Sequence, residues 1–191
     1  MMIEYSDLVN GVAIHVSPCP EIVIVDSIRH VVRDFCKRTK AWVYDSPEIH
    51  IEPDQLSYQL TLPENSAVFH LWGLNGRNGN YQTLQDVYLS SDMLVFTKQP
   101  STSKSFKPLL SLMPTVKSTS FPAQIRELFE EHLIAGTVAH LQLQPFREWS
   151  QPNAAQIHAI KYEQGILEAN RLRDEGLNIQ RSRNRTRAQY L

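Results

Sequence analysis

The chain has 191 residues, of which 42% are hydrophobic, 20% charged and 9% aromatic, and its formal net charge is −1. This length suits one domain, or one domain with an insertion, that buries about 70% of its unfolded surface, and the composition is too apolar for wholesale disorder. No apolar run approaches the roughly 20 residues of a membrane helix, and the first residues lack the pattern of a signal peptide. The two cysteines, Cys19 and Cys36, exclude a disulfide framework, so we expect synthesis in a reducing cytosol.

Charge is distributed unevenly along the chain. Residues 1–175 hold all 20 acidic residues and 15 basic ones, a net charge of −5, whereas residues 176–191 hold four arginines and no acid. The near-zero total therefore combines an acidic body with a basic tail.

The tail has arginine at every second position. In an extended chain this spacing places all four guanidinium groups on one face, whereas a helix would scatter them around its axis. Guanidinium groups bind carboxylates and phosphates bidentately, so we predict a partner-docking arm over residues 177–191; the alternative is a solvated, frayed terminus. The predicted partner-binding residues of this arm are Arg181, Arg183, Arg185, Arg187 and Tyr190.

The first 40 residues predict two helices. Residues 2–16 carry scattered apolar residues and favour a short helix that breaks near Asn10 and Gly11, a common turn pair. A longer helix is predicted over residues 20–40, because its apolar positions follow helical spacing. It starts at Pro20 and ends in cations that suit the C-terminal dipole.

The periodicity changes between residues 43 and 120. Strands are predicted at 56–62, 67–74, 82–89, 93–97 and 109–116, from alternating or continuous apolar patterns. Residues 75–80 are rich in glycine and asparagine, which favours a tight reversal or a mobile tip. This region is therefore predicted to be an antiparallel β module of five or six short strands.

Two further helices are predicted at 122–143 and 152–175, separated by a break that contains Trp149. The last helix has a thin apolar stripe, which leaves room for contacts with another subunit. The predicted fold class is α+β: a bundle of three long helices built from residues 1–42 and 121–176, an inserted antiparallel β module at 43–120, and an extended C-terminal arm.

The sequence shows no pattern of catalytic or cofactor-binding residues. It contains neither a P-loop nor a GxGxxG motif. His132 and His140 are eight residues apart, about 12 Å along one helix, which is too far to share a metal ion. Cys36 and His30 would point to different faces of their helix. We therefore predict no enzyme activity, no cofactor and no metal, and we interpret Trp149 as a core or interface anchor.

Two segments resemble the bacteriophage head-to-tail adaptor (connector) proteins. The segment 19–42 begins with Cys19-Pro20 and ends in FCKRTKAW, which fits the family pattern F-C-x-R-T-x-x-W. The segment WSQPNAA at 149–155, followed by a helix that contains Tyr162, Gly165 and Ile166, is similar to the connection between the last two helices of that family. Together these segments cover about a third of the chain.

The resemblance implies a virion protein of the phage neck, made in the host cytoplasm. Such adaptors form a ring, usually of twelve copies, below the portal; the ring extends the DNA channel and receives the tail. The implied partners are the portal protein, tail or nozzle proteins, further copies of this chain, and genomic DNA that passes without sequence-specific binding; no membrane is involved. We expect the arm to dock on the portal or a neighbouring subunit. We expect the loop 75–80, with Asn75, Arg77 and Asn78, to face the tail.

Two alternatives remain open at this stage. The first is a nucleic-acid-binding protein that uses the arginine-rich arm, with a salt dependence set by about four phosphate contacts. The second is a small enzyme, which would need a convergent polar pocket that the sequence does not reveal.

Overall fold

The computed structural model describes residues 1–53, 55–75, 81–82, 86–98, 100 and 102–176. Its fold is mixed α+β, with four helices and three antiparallel sheets among those residues. The helices are α1 (Val9–Val16), α2 (Glu21–Thr39), α3 (Ala123–Gln142) and α4 (Pro152–Gly176). The strands are β1 (Met2–Glu4), β2 (Val43–Asp45), β3 (Ile49–Ile51), β4 (Ser57–Gln59), β5 (Ser66–Asn75), β6 (Tyr81–Gln82), β7 (Val87–Ser90), β8 (Met93–Phe96), β9 (Lys104–Pro114) and β10 (Ser120–Pro122).

The predicted bundle of three long helices is wrong. The helices expected near 20–40, 122–143 and 152–175 are present as α2, α3 and α4. However, the N-terminal segment adds β1, a 3-10 turn (Tyr5–Leu8) and α1, and these elements pack into the same core. β1 also pairs with β10, which forms a two-stranded sheet directly before α3. Only the coarse assignment to the α+β class holds.

The predicted break in the first helix is also wrong, because Gly11 serves a helix contact and not a turn. Asn10 and Gly11 lie inside α1, which continues to Val16. A Cβ atom at Gly11 would stand 2.6 Å from Cδ1 of Ile134 on α3. The glycine therefore serves a close helix contact rather than a turn, and its partner lies more than 120 residues away.

The β region also differs from the single module predicted. β9 is the centre of a five-stranded sheet: it pairs with β5 on one side and with both β2 and β3 on the other, and β6 extends β5. A separate three-stranded sheet has the order β4-β8-β7. β9 begins at Lys104, five residues earlier than predicted, because its first part pairs with β3.

Two hydrophobic clusters fill the molecule, and we call them the helical core and the sheet core. The helical core is built from the 3-10 turn, the four helices, Phe121 and Trp149. The sheet core includes Ile51, Leu94 and Leu110. The partly buried Trp42 packs against both clusters, so it links them just after α2.

α3 and α4 approach each other closely through glycines. A Cβ at Gly136 of α3 would lie 2.5 Å from the ring of Tyr162 on α4, and a Cβ at Gly165 of α4 would clash with His132 on α3. Each helix thus offers a glycine to a ring of the other.

Within the described residues no single helix is long and apolar enough to cross a membrane. The pair Tyr5–Val16 and Glu21–Thr39, bent by 111°, qualifies only by combined length and composition.

Candidate functional site

The most unusual group of polar side chains surrounds Trp72 of β5, where the helical and sheet cores meet. Nζ of Lys40 lies 5.0 Å from the centre of the indole ring, and Cζ of Arg173 lies 5.4 Å from it. The imidazole of His70 meets the same indole edge-on, with 4.7 Å between ring centres. We call these four residues, Lys40, His70, Trp72 and Arg173, the Trp72 cluster. All four are partly exposed.

Three elements position the cluster. The indole Nε1–H of Trp72 donates a hydrogen bond of 2.7 Å to Oγ of Ser111, a buried residue of β9. Nη1 of Arg173, on α4, donates to the carbonyl oxygen of Thr39 and, at 2.7 Å, to Oδ1 of Asn170. Arg173 therefore satisfies a carbonyl at the C-terminal end of α2, where cations are favoured.

Lys40 enters the cluster from a left-handed backbone conformation. It follows the last residue of α2 with φ 55° and ψ 29°. Helices commonly end in this conformation, but the residue is usually glycine, sometimes asparagine, because a Cβ is disfavoured there. The backbone turn directs the chain from α2 into the sheet and leaves the lysine beside Trp72.

The electrostatics of the cluster are dominated by cations. Nζ of Lys40 lies 3.2 Å from Nε2 of His70; an ammonium group only donates, so Nε2 accepts and the ring proton of His70 sits on Nδ1. Burial, and then the charge of Arg173, lower the pKa of Lys40 below its ordinary value. Burial, and then the charges of Lys40 and Arg173, lower the pKa of His70. His70 therefore acts as a neutral acceptor beside two cations.

Asp174 is the carboxylate that accompanies this group. Its Oδ1 accepts hydrogen bonds from Nε and Nη2 of Arg173, at 3.0 and 2.7 Å. No described residue places a carboxylate oxygen within 4 Å of Nζ of Lys40. Of the two cations, Arg173 is thus neutralised and Lys40 is not, so this surface suits an oxyanion.

An apolar groove of about 320 Å³ adjoins the cluster and shares Arg173 with it. It runs between β2, the first half of α3 and the second half of α4. Its wall is mainly aliphatic and aromatic, from Ala41, Val43, Leu128, Phe129 and Leu172. Phe129 has non-helical dihedral angles (φ −134°, ψ 18°), which kink α3 at this groove.

A second exposed apolar feature lies on the outer face of α4. Ile157, Ile160 and Leu167 are 72%, 62% and 70% exposed. Their spacing of three and seven residues places them on one side of the helix. Tyr162 and Ile166 are buried on the opposite side, which packs against α3. We call these three exposed side chains the α4 stripe.

The residues predicted as partner-binding are mostly not within the described part of the chain. Arg181, Arg183, Arg185, Arg187 and Tyr190 lie outside the described residues, and so do Arg77 and Asn78. Asn75 is the last residue of β5, opposite Tyr81 in register. Trp149 belongs to the helical core at 9% exposure, and Cζ of Arg147 lies 5.8 Å from its ring centre.

Four of the seven histidines pair with each other between helices rather than with cysteine. The rings of His30 and His140 stack across α2 and α3 with 4.9 Å between centres, and His15 meets His158 edge-on at 5.2 Å. Among the described residues, no group of three or more potential ligands is placed to hold a metal ion. Cys36 is buried, and burial raises the pKa of its thiol to about 12, so it carries no thiolate at neutral pH.

Ser105 and His50 form the one Ser–His contact in the described ranges. They face each other in the β3–β9 register, and Oγ of Ser105 is within hydrogen-bonding distance of Nδ1 of His50. Direct cross-strand neighbours are expected to touch in this way. Register therefore explains the pair without a catalytic role.

No family model and no curated protein matches the chain.

The Trp72 cluster could not be predicted from the sequence because its members are separated by up to 133 residues. The signal that could have found it is the lysine at position 40, where the end of a helix favours glycine.

Proposed function

We propose that this protein is a structural head-to-tail adaptor of a tailed bacteriophage. It forms a dodecameric ring below the portal, extends the DNA channel and receives the tail. The two segments at 19–42 and 149–166 support this proposal by their resemblance to the adaptor family. The structural observation that carries it is the α4 stripe, an apolar surface on a firmly held helix.

The α4 stripe suits a contact between copies. Fully burying an aliphatic side chain of this size is worth about 1.5–3 kcal/mol, and the three side chains of the stripe are largely exposed in one copy. A head-to-tail contact between different surfaces of identical subunits generates a ring when its rotation closes. The stripe is therefore the first surface to test for ring formation.

The scaffold beneath the stripe holds α4 in place. Arg38 of α2 forms two hydrogen bonds with the carboxylate of Glu163, at 2.7 and 2.6 Å. Lys161 pairs with Glu131 of α3 at 2.8 Å. The stripe is thus presented by a helix that is fixed on its other side by α2 and α3, which reduces the entropy lost on association.

Charge supports passage of DNA rather than its capture. Residues 1–175 carry a net charge of −5, and attraction to DNA comes from cations that neutralise phosphates. The basic segment 177–191 supplies the opposite charge for an acidic partner surface, for which we propose the portal. In this arrangement the loop 75–80 meets the tail.

The central test compares Ile160→Glu with Val116→Glu. Both positions are exposed aliphatic residues, at 62% and 65%, and Val116 lies in the turn between β9 and β10 rather than on α4. We expect Ile160→Glu to abolish rings and portal–adaptor complexes in light scattering and negative-stain electron microscopy, while Val116→Glu assembles as the wild type and both variants melt normally. Normal assembly of Ile160→Glu, or failure of the wild type to bind the portal, contradicts the proposal.

Deletion of residues 177–191 tests the arm. We expect the truncated protein to fold but to enter tailed particles poorly; undiminished incorporation would exclude the arm as the docking element. Cross-linking from position 77 should reach tail proteins rather than the portal. A gel shift at low salt distinguishes the nucleic-acid alternative, which requires affinity with a salt dependence of about four phosphates.

A further inference from the structure

We propose that Lys40 and Arg173 bind a carboxylate of an acidic segment on a partner protein, with His70 holding the Lys40 ammonium group in place, and that the adjoining groove receives an apolar side chain of the same segment. This inference is independent of the proposed ring. It rests on the unused hydrogen-bond donors of the Trp72 cluster, on the backbone conformation of Lys40, and on the continuity of the cluster with the groove.

The cluster has donors without acceptors. The ammonium group of Lys40 has three N–H bonds, and within the described residues it donates only to His70. Arg173 uses Nε, both protons of Nη1 and one proton of Nη2, which leaves one Nη2 proton. A carboxylate accepts several hydrogen bonds from such donors, and bonds between ionised partners are the strong ones.

The backbone conformation of Lys40 is unfavourable for a residue other than glycine. A residue with a Cβ is disfavoured at φ 55°, and glycine would occupy this helix end without strain. Strain of this kind persists where the surrounding structure fixes the backbone and is enriched at ligand-binding sites; Asn65, Ser91 and Phe146 share the positive φ, and Lys40 is the cation among these four residues. Among the described residues, the ammonium group of Lys40 contacts His70 and the Trp72 ring, neither of which neutralises its charge.

The lowered pKa of Lys40 agrees with this geometry. Burial and Arg173 both disfavour its charged form. A carboxylate beside Nζ would favour that form and offset both effects.

The surroundings favour an acidic protein segment over nucleic acid. The indole N–H of Trp72 already donates to Ser111, and its ring is contacted by two cations and by His70, so it is occupied as a stacking platform. The net charge of −5 on residues 1–175 repels a duplex with many phosphates more strongly than a segment with a few carboxylates. The adjoining groove is lined mostly by apolar side chains, which suits an aliphatic side chain next to the acid.

Titration of the ¹⁵N-labelled full chain tests the site through the indole N–H resonance of Trp72, assigned with Trp72→Phe. Three probes are compared: an end-blocked hexapeptide of alternating aspartate and leucine, the same peptide with asparagine in place of aspartate, and a short DNA duplex. The variants are Lys40→Gly and the charge-matched control Lys117→Gly, whose lysine is exposed in a turn. Lys40→Gly removes the cation and relaxes the left-handed backbone, so it is expected to fold.

We expect saturable shifts with the aspartate peptide and none with the asparagine peptide or the duplex. Affinity should fall about tenfold or more in Lys40→Gly, because a hydrogen bond to a charged group is lost, and should change less than about twofold in Lys117→Gly. Absence of saturable shifts with the aspartate peptide, or equal affinity in Lys40→Gly, overturns the proposal. Shifts with the duplex that require Lys40 overturn the choice of a protein ligand. The titration measures peptide binding alone, so its result does not depend on whether the protein forms a ring.

Discussion

Substitution of Gly136 by alanine is expected to destabilise the fold, although alanine is the better helix former. The added Cβ would lie 2.5 Å from Cδ2 of Tyr162 and 2.9 Å from Cε2 and Cγ of the same ring. Tyr162 is buried, and its hydroxyl donates to Oδ2 of Asp34 at 2.9 Å. The ring therefore has little room to move, and either α3 and α4 separate or the hydroxyl loses its partner.

The magnitude follows from opposing contributions. Overpacking in a well-packed contact costs about 1–3 kcal/mol. A strained or broken hydrogen bond to Asp34 adds about 1 kcal/mol, somewhat below the usual value for a charged acceptor because this carboxylate is partly exposed. Replacement of glycine by alanine inside a helix returns about 1 kcal/mol. We therefore expect Gly136→Ala to lower the free energy of unfolding by about 2 kcal/mol, which corresponds to a Tm lower by about 4–8 °C for a chain of this size.

Urea and thermal unfolding, followed by circular dichroism, measure this loss. The double variant Gly136→Ala/Tyr162→Leu is the control: with a smaller side chain opposite the new methyl group, its loss should be less than the sum of the two single losses. Helix propensity alone predicts that Gly136→Ala raises the free energy of unfolding by about 1 kcal/mol. That result would refute the argument, because it would show that α3 and α4 can separate to fit the methyl group at no cost in stability. Additive losses in the double variant would refute the specific contact with Tyr162.

Three further predictions concern single side chains. Lys40→Gly should raise the free energy of unfolding by up to about 1 kcal/mol, because it relieves the left-handed backbone; a fall in the urea midpoint contradicts this. Tyr162→Phe should lower it by about 1–2 kcal/mol through loss of the bond to Asp34, and an unchanged midpoint would exclude that bond. Burial, and then His30, lower the pKa of His140, so the unfolded chain binds the proton more readily. The contribution of His140 to stability should therefore be constant above about pH 6.5 and fall as the pH drops below it. His140→Gln should weaken the pH dependence in urea titrations, and the remainder comes from His70 and His158, whose pKa values are also lowered.

Local signals were sufficient for the long helices. Their apolar spacing and their flanking prolines predicted α2, α3 and α4 within one or two residues at each end. Local signals failed where a distant partner decides the conformation. Gly11 has the appearance of a turn residue, and only the position of Ile134 makes it a helix contact. The short strands β2 and β3 were missed because three residues carry no usable periodicity and are held by β9.

The candidate site was less predictable than the fold for the same reason. Its residues come from the end of α2, from β5 and from α4, and no spacing in the chain links them. Sequence reasoning instead selected the alternating arginines and the glycine-rich loop, which are conspicuous because they are local patterns. Sequence reasoning selected none of the residues of the Trp72 cluster as a site residue.

Three helical arginines differ from Lys40 because they have partners within the chain. Arg29 and Arg33 of α2 donate to the main-chain carbonyls of Ser118 and Pro114, at 2.9 and 3.0 Å. Arg173 of α4 donates to the carbonyl of Thr39 at the end of α2 and pairs with the carboxylate of Asp174. Each of these three side chains therefore stabilises the fold. The ammonium group of Lys40 donates to no carbonyl and neutralises no acid among the described residues, and its backbone position disfavours a residue with a Cβ, so the proposed carboxylate would supply the counter-charge that the described residues do not.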